Sequence, residues 1–335
     1  MKKRKDKKNY DYISVSAALR ARETRMLDDD RIAQAIAAQT KEDAAKVIAE
    51  CGMPDMSDLS SGEIDAALSD WRRRTFDELE QNGACAPIVD LFRLKYDYHN
   101  VKVLVKAMAE NTDGGPMLSA CGRVAPDALT DAFNRGVRGD LPKDLAAAMS
   151  GSVGIMGRTK NPQLSDIYTD GCWFKEYLRM AEELGCPAVT DYARLQIDAT
   201  NLKTAVRMLR LGRTWEHLEP ALIPGGTREP ARYAALSPSG EELQQLFFGS
   251  PLSECAALGK DCVSGGALTE FEKSVDDALA RSLDGLYLVP FGPEVVFNHL
   301  CAVENSVSAA RMILAGKLFG IAPEDLRERM RRSYV

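Results

Sequence analysis

One pattern recurs three times along the 335 residues and limits the folds open to the chain. It is an apolar run at helical spacing with an asparagine near its middle: Asn100, Asn201 and Asn305, at intervals of 101 and 104 residues. Asp97-Tyr-His-Asn100-Val-Lys102 parallels Asp198-Ala-Thr-Asn201-Leu-Lys203, and Ala302 stands where a third aspartate would be. Six residues beyond each asparagine comes a base: Lys106, Arg207 and Arg311. Arg207-Met-Leu-Arg-Leu-Gly212-Arg213 also matches Arg311-Met-Ile-Leu-Ala-Gly316-Lys317, and Pro87 and Pro187 precede the first two copies. A repeat as long as a small domain predicts threefold internal duplication. The expected divisions are a basic tail at 1–9 and helical domains at 10–115, 116–222 and 223–335.

The periodicity between these landmarks is helical throughout. It predicts helices over 14–27, 31–39, 41–50, 58–79, 86–109, 126–135, 142–149, 164–184 and 187–211. Further helices are expected over 239–247, 251–258, 268–286 and 295–319. Asp29 or Asp30 can cap the second of them, and Gly185 and Gly320 suit left-handed stops. The long run from 295 is interrupted by Glu304 and Arg311, so it is not a membrane span. The residues from Pro323 restart a short helix, with Glu324 and Asp325 in its first turn and Arg327, Arg329, Arg331 and Arg332 towards its end. That order complements the helix dipole. The nearest approach to a strand is Gly285-Leu-Tyr-Leu-Val-Pro290, which is short. The expected class is all-α.

Composition excludes several functions. A net charge of −6 argues against nucleic acid as the main partner. Eight cysteines form no C-x-x-C pair and no spaced metal set, so reduced and mostly buried thiols are expected. Polar Asn9-Tyr-Asp-Tyr follows the basic start where a signal peptide needs an apolar core. Gly151-Ser-Val-Gly154-Ile-Met-Gly157-Arg158-Thr159 resembles a phosphate loop only loosely. Its glycine spacing is wrong, Arg replaces Lys, and no strand precedes it. It reads as a flexible connector. His99, His217 and His299 are scattered without metal-ligand spacing. No catalytic, cofactor-binding or metal-binding set emerges, and no small-molecule substrate is implied.

What remains is structural. Asparagine is a mediocre residue mid-helix, so Asn100, Asn201 and Asn305 read as buried amides that satisfy a neighbouring helix's backbone end, in preference to ligand-binding groups. Arg327, Arg329, Arg331 and Arg332 are candidate interface residues. They suit an acidic partner or lipid head groups as well as they suit a favourable helix end.

Tyr96-Asp-Tyr-His-Asn-Val-Lys102, Ile223-Pro-Gly-Gly226, Phe291-Gly-Pro-Glu294, Glu304-Asn305 and Leu314-Ala-Gly-Lys-Leu-Phe-Gly-Ile-Ala-Pro-Glu-Asp-Leu-Arg-Glu-Arg329 carry a resemblance, with Tyr334-Val335 behind them. Together they resemble the family of C subunits of V-type/A-type ATP synthases (ATPases) of bacteria and archaea, related to the d subunit of the eukaryotic V-ATPase. The resemblance implies a funnel of three similar helical domains with pseudo-threefold symmetry and no catalysis or cofactor. It implies a central-stalk component on the cytoplasmic face of the membrane, peripheral to it. Such a component seats the rotor shaft formed by the D and F subunits on the membrane rotor ring and transmits torque. The alternative is a stand-alone α-helical scaffold that binds unrelated partners; an enzyme ranks third.

Overall fold

The computed structural model describes residues 11–136 and 138–335; the basic tail expected at 1–9 lies outside them. Helices, turns and loops make up the described residues, with no strand among them, so the protein is all-α. In chain order the α-helices are α1 Ile13–Glu23, α2 Asp29–Ala37, α3 Lys41–Glu50, α4 Ser61–Glu80, α5 Ala86–Glu110, α6 Pro126–Arg135, α7 Lys143–Thr159 and α8 Pro162–Glu183. After them come α9 Pro187–Arg210, α10 Trp215–Leu218, α11 Leu243–Leu246, α12 Ser253–Val263, α13 Leu268–Arg281, α14 Pro293–Leu318 and α15 Pro323–Arg329.

Local chemistry sets where the helices start. Asp28, with an extended backbone, caps α2 by accepting a 2.8 Å bond from the Arg31 amide. The cap therefore falls on neither Asp29 nor Asp30, because the helix begins earlier than the spacing suggests. Thr40 caps α3 through the Asp43 amide at 3.1 Å. Ser60 and Glu63 form a capping box on α4, with Glu63 Oε2 accepting from the Ser60 amide at 2.9 Å.

The chain divides into two compact units, and the division falls within α5. One unit combines the residues up to Val89 with Leu243–Val335. Its core gathers Leu27, Ile32, Ile36, Ile48, Met56 and Leu68 around Val307, Ala310, Ile313 and Leu314 of α14, with Leu326 of α15. Helix α14 packs along α4, α1 and α3, and sixteen of its residues are buried. It carries apolar residues on most sides because it is covered on most sides. Leu326 nests over Gly316, where a Cβ would come within 2.5 Å of the leucine.

The other unit is Asp90–Glu242. Helices α7 and α8 form an antiparallel hairpin, and α9 packs back on α8. The segment read as a flexible connector, Gly151 to Thr159, is instead the second half of α7. One of its three glycines, Gly151, is needed because a neighbouring ring takes the space. The Tyr168 ring lies against Gly151, where a Cβ would sit 2.2 Å from the phenol oxygen. Ser152, Ser165 and Thr169 close this seam as a buried hydroxyl knot, with Ser152 Oγ 2.6 Å from Ser165 Oγ and 3.0 Å from Thr169 Oγ1. The knot satisfies three polar groups without outside partners.

Two other expectations also shift. Residues 239–247 hold only the single turn of α11, and α13 ends at Arg281. A 3₁₀ turn, Asp284–Leu288, occupies the stretch nearest to strand-like.

Candidate functional site

The three asparagine-bearing helices share an ending. Asn111, Gly212 and Gly320 each adopt the left-handed region, with φ of 53°, 65° and 67°. The next amide in each case bonds back to a carbonyl of the last turn: Thr112 to Ala107 at 2.9 Å, Arg213 to Met208 at 3.0 Å and Ile321 to Gly316 at 2.8 Å. This is the Schellman arrangement. Gly212 and Gly316, matched in sequence, therefore do different jobs, because α14 runs on past Gly316 and stops at Gly320.

From this common end the chain turns back over its helix, and the asparagine receives it. Asn100 Nδ2 donates to the Ser119 carbonyl at 2.9 Å while its Oδ1 accepts from the Ser119 amide at 2.8 Å. Asn201 makes the same pair with Ile223, both bonds at 2.8 Å. Both asparagines are fully buried. One primary amide thus matches both backbone groups of one residue, as a strand partner would, and only Asn or Gln carries a donor and an acceptor in that geometry.

The aspartate one turn earlier completes the clamp. Asp97 Oδ1 accepts from the Val124 amide at 3.1 Å and Oδ2 from Arg123 Nε at 2.7 Å. Asp198 accepts from the amides of Thr227 and Arg228, both at 3.1 Å, and from the Thr227 hydroxyl. In each turn a glycine faces the carboxylate. A Cβ at Gly122 would lie 2.4 Å from Asp97 Oδ1, and one at Gly226 would lie 2.2 Å from Asp198 Oδ1. Burial pushes both carboxyls above the ordinary aspartate range, opposed at Asp97 by the Arg123 guanidinium and at Asp198 by the Thr227 hydroxyl. Arg123 also reaches Glu176 Oε1 at 3.1 Å, and the Tyr98 hydroxyl donates to Glu176 Oε2 at 2.7 Å.

The turn residues were the missed half of this site. Ser119-x-x-Gly122-x-x-x-Pro126 and Ile223-x-x-Gly226-x-x-x-Pro230 lie 104 residues apart and carry the signal. Pro126 and Pro230 then open the next helical segment in each copy.

At the third position the clamp is reduced. Asn305 Nδ2 donates to the Arg332 carbonyl at 3.2 Å, but among the described residues its Oδ1 finds no donor. Ala302 supplies no carboxylate. The bases six residues beyond each asparagine lie outside these clamps: Lys106 pairs with Asp166 at 2.6 Å, Arg311 with Asp65, and Arg207 is exposed on α9.

The four candidate interface arginines divide into two pairs. Arg327 and Arg329 are exposed, and Arg327 Nη1 is 3.7 Å from Glu324 within its own helix. Arg331 and Arg332 lie beyond α15 and pair within their unit, Arg331 with Asp276 at 3.0 Å and Arg332 with Asp284 at 2.9 Å. The histidines stay apart: His99 contacts the Met117 carbonyl, His217 contacts Thr214, and His299 is buried in α14. Among the described residues no group of three His, Cys, Asp or Glu could hold a metal ion. The site is a set of backbone clamps on a helical body.

A family model described as ATP synthase (C/AC39) subunit matches residues 15–329 of this chain. The chain belongs to that family. Within the ATP synthase (C/AC39) subunit family it is similar to the C subunit of the V-type sodium ATPase of Enterococcus hirae, 24% identical over 329 residues that cover 97% of this chain and 99% of that one. It is also similar to the C subunit of the A-type ATP synthase of Haloferax volcanii, 31% identical over 142 residues covering 40% of this chain and 39% of the relative. Among the described residues no helix is long and apolar enough to cross a membrane.

Proposed function

We propose that this chain is the non-catalytic central-stalk component of a V/A-type rotary ATPase, joining the shaft of the D and F subunits to the membrane rotor ring. The observation that carries this reading is the end-to-end similarity to the C subunit of a V-type ATPase, 97% of one chain against 99% of the other. The clamps support the same role. A part that passes torque needs turns that cannot slide along their helices, and a buried amide that pairs both backbone groups of the returning chain resists sliding. Catalysis then belongs to other components of the complex, and this one sits peripherally on the cytoplasmic face.

The domain scheme 10–115, 116–222 and 223–335, arranged as a pseudo-threefold funnel, belongs to this proposal. The common helix endings and the recurring clamps support it. Of the arginines, Arg327 and Arg329 are the two we assign to a partner surface, because both residues are exposed and, among the described residues, their side chains pair with no other element.

Native mass spectrometry of this chain with the D–F shaft of its own organism tests the proposal. The expected result is a one-to-one-to-one complex that dissociates as salt rises, as charged contacts require. The pair R327S/R329S should weaken it by roughly two- to thirtyfold, since exposed charges contribute about 0.2–1 kcal/mol each. No complex at about micromolar concentration, with and without the rotor ring present, would overturn the reading and favour a stand-alone scaffold.

A further inference from the structure

Residues 330–335 leave α15 and run back across the unit formed by the two ends of the chain. Met330 enters the main core, while Tyr334 and Val335, like Trp71, pack on the cluster of Met26, Ala302 and Val303. The Arg332 amide donates to Asp277 Oδ1 and the Ser333 amide to Asp29 Oδ1, both at 2.8 Å, and Ser333 Oγ donates to the Leu27 carbonyl at 3.0 Å. Arg331 and Arg332 add their pairs with Asp276 and Asp284.

This segment stands where Ser119 and Ile223 stand in the other two clamps, yet it is held differently. There, a fully buried asparagine uses both amide atoms, and a buried aspartate one turn earlier fixes the following turn. Here Asn305 makes one bond, its Oδ1 is without a donor among the described residues, and Ala302 leaves the second anchor out. The grip passes to four carboxylates, Asp29 on α2, Asp276 and Asp277 on α13, and Asp284 on the 3₁₀ turn after it. The ion pairs are open to solvent: the side chains of Asp276 and Asp284 are 31% and 50% exposed. Charge pairs of that exposure are screened by salt, whereas the two-bond amide clamp is not.

We propose that residues 330–335 form a salt-sensitive latch, which lifts from α2, α13 and α14 without unfolding the unit and uncovers the strip of Met26, Ala302 and Val303. Loss of one clamp's second bond and of its carboxylate makes this the one turn of the three that local opening can release. The latch stands independently of the rotary-ATPase reading, since it rests only on contacts within one chain.

Hydrogen exchange on the full chain at fixed pH, read at low salt and at about 0.5 M salt, tests it. The expected result is that amides of 330–335 exchange about tenfold faster than those of α14 at low salt, and several-fold faster again at high salt. The amides of α14, Ile223 and Thr227 should not respond. R331Q/R332Q should exchange at 330–335 at low salt as the unaltered chain does at high salt, and R327Q/R329Q should change nothing. Exchange at 330–335 that matches α14 and ignores salt would overturn the latch. If R331Q/R332Q unfolds, its α14 amides lose protection in the same experiment, and the salt series on the unaltered chain still decides.

Discussion

Replacing Asn201 with leucine keeps its volume and removes both bonds to Ile223, leaving a buried N–H and a buried carbonyl without partners. Each such group costs about 1–3 kcal/mol, so N201L should lose about 2–6 kcal/mol, seen as a lower urea midpoint with an unchanged slope. N305L should lose only about 1 kcal/mol, because Asn305 makes a single long bond. The order of the two variants tests the account; equal losses would contradict it. His299 gives a second residue-level prediction. Burial, with the Arg22 charge nearby, holds its imidazole down to about 4, against 6.5 when unfolded. The depressed value means that its contribution is complete above pH 6.5 and is lost as pH falls towards 4, since the unfolded chain takes up the proton first. At about 1.4 kcal/mol per pH unit, the ceiling on that loss is about 3 kcal/mol. Asp97 and Asp198, raised by burial, act in the opposite sense, contributing more as pH falls through their own values. Comparing the unaltered chain with H299Q in urea isolates the histidine, and the variant's stability should fall less between pH 6.5 and 4.

At the scale of elements, the glycines of α7 and of the clamp turns separate two uses of the same residue. Nothing lies within 4 Å of the position a Cβ would take at Gly157, so G157A should stabilise the protein by about 0.5–1 kcal/mol, as alanine does in a helix interior. A flexible connector would show no such gain, so thermal melting of this variant checks that the helix continues to Thr159. G151A meets Tyr168, a residue 36% exposed whose side chain can swing outward, so its cost should stay near 1 kcal/mol. In G226A the obstacle is Asp198 Oδ1, buried and bonded to the Arg228 amide, and the cost should be about 2–4 kcal/mol. Three alanines in three settings should therefore differ in sign as well as in size.

For the whole molecule, the thiols report how completely the chain is packed. Seven of the eight free cysteines are buried and Cys172 is half-buried. Burial also pushes the Cys85 thiol up to about 11, so it is protonated and unreactive at neutral pH. A chromogenic disulfide reagent should titrate about one thiol rapidly in the native protein and all eight after denaturation. Several fast thiols at the outset would mean that the units open readily in solution.

The sequence alone determined the all-α class, most of the long helices and the stops at Gly185 and Gly320, because helical period, N-terminal prolines and left-handed glycines act within a few residues of where they are written. It also picked out Asn100 and Asn201 as buried backbone partners, since an amide in mid-helix signals a structural use. Which backbone they hold was decided only by the tertiary structure, because Ser119 and Ile223 reach them by chain reversals that follow each helix's end. The same holds for α7. Its glycines weaken a helix in isolation, and at Gly151 only the approach of Tyr168, beside the Ser152–Ser165–Thr169 knot, turns that weakness into a fitted seam. Arg331 and Arg332 look like Arg327 and Arg329 in sequence, and they differ only because Asp276 and Asp284, about fifty residues upstream, fold back to meet them. Local propensity acts along the chain, whereas pairing depends on which distant residues the core brings within reach.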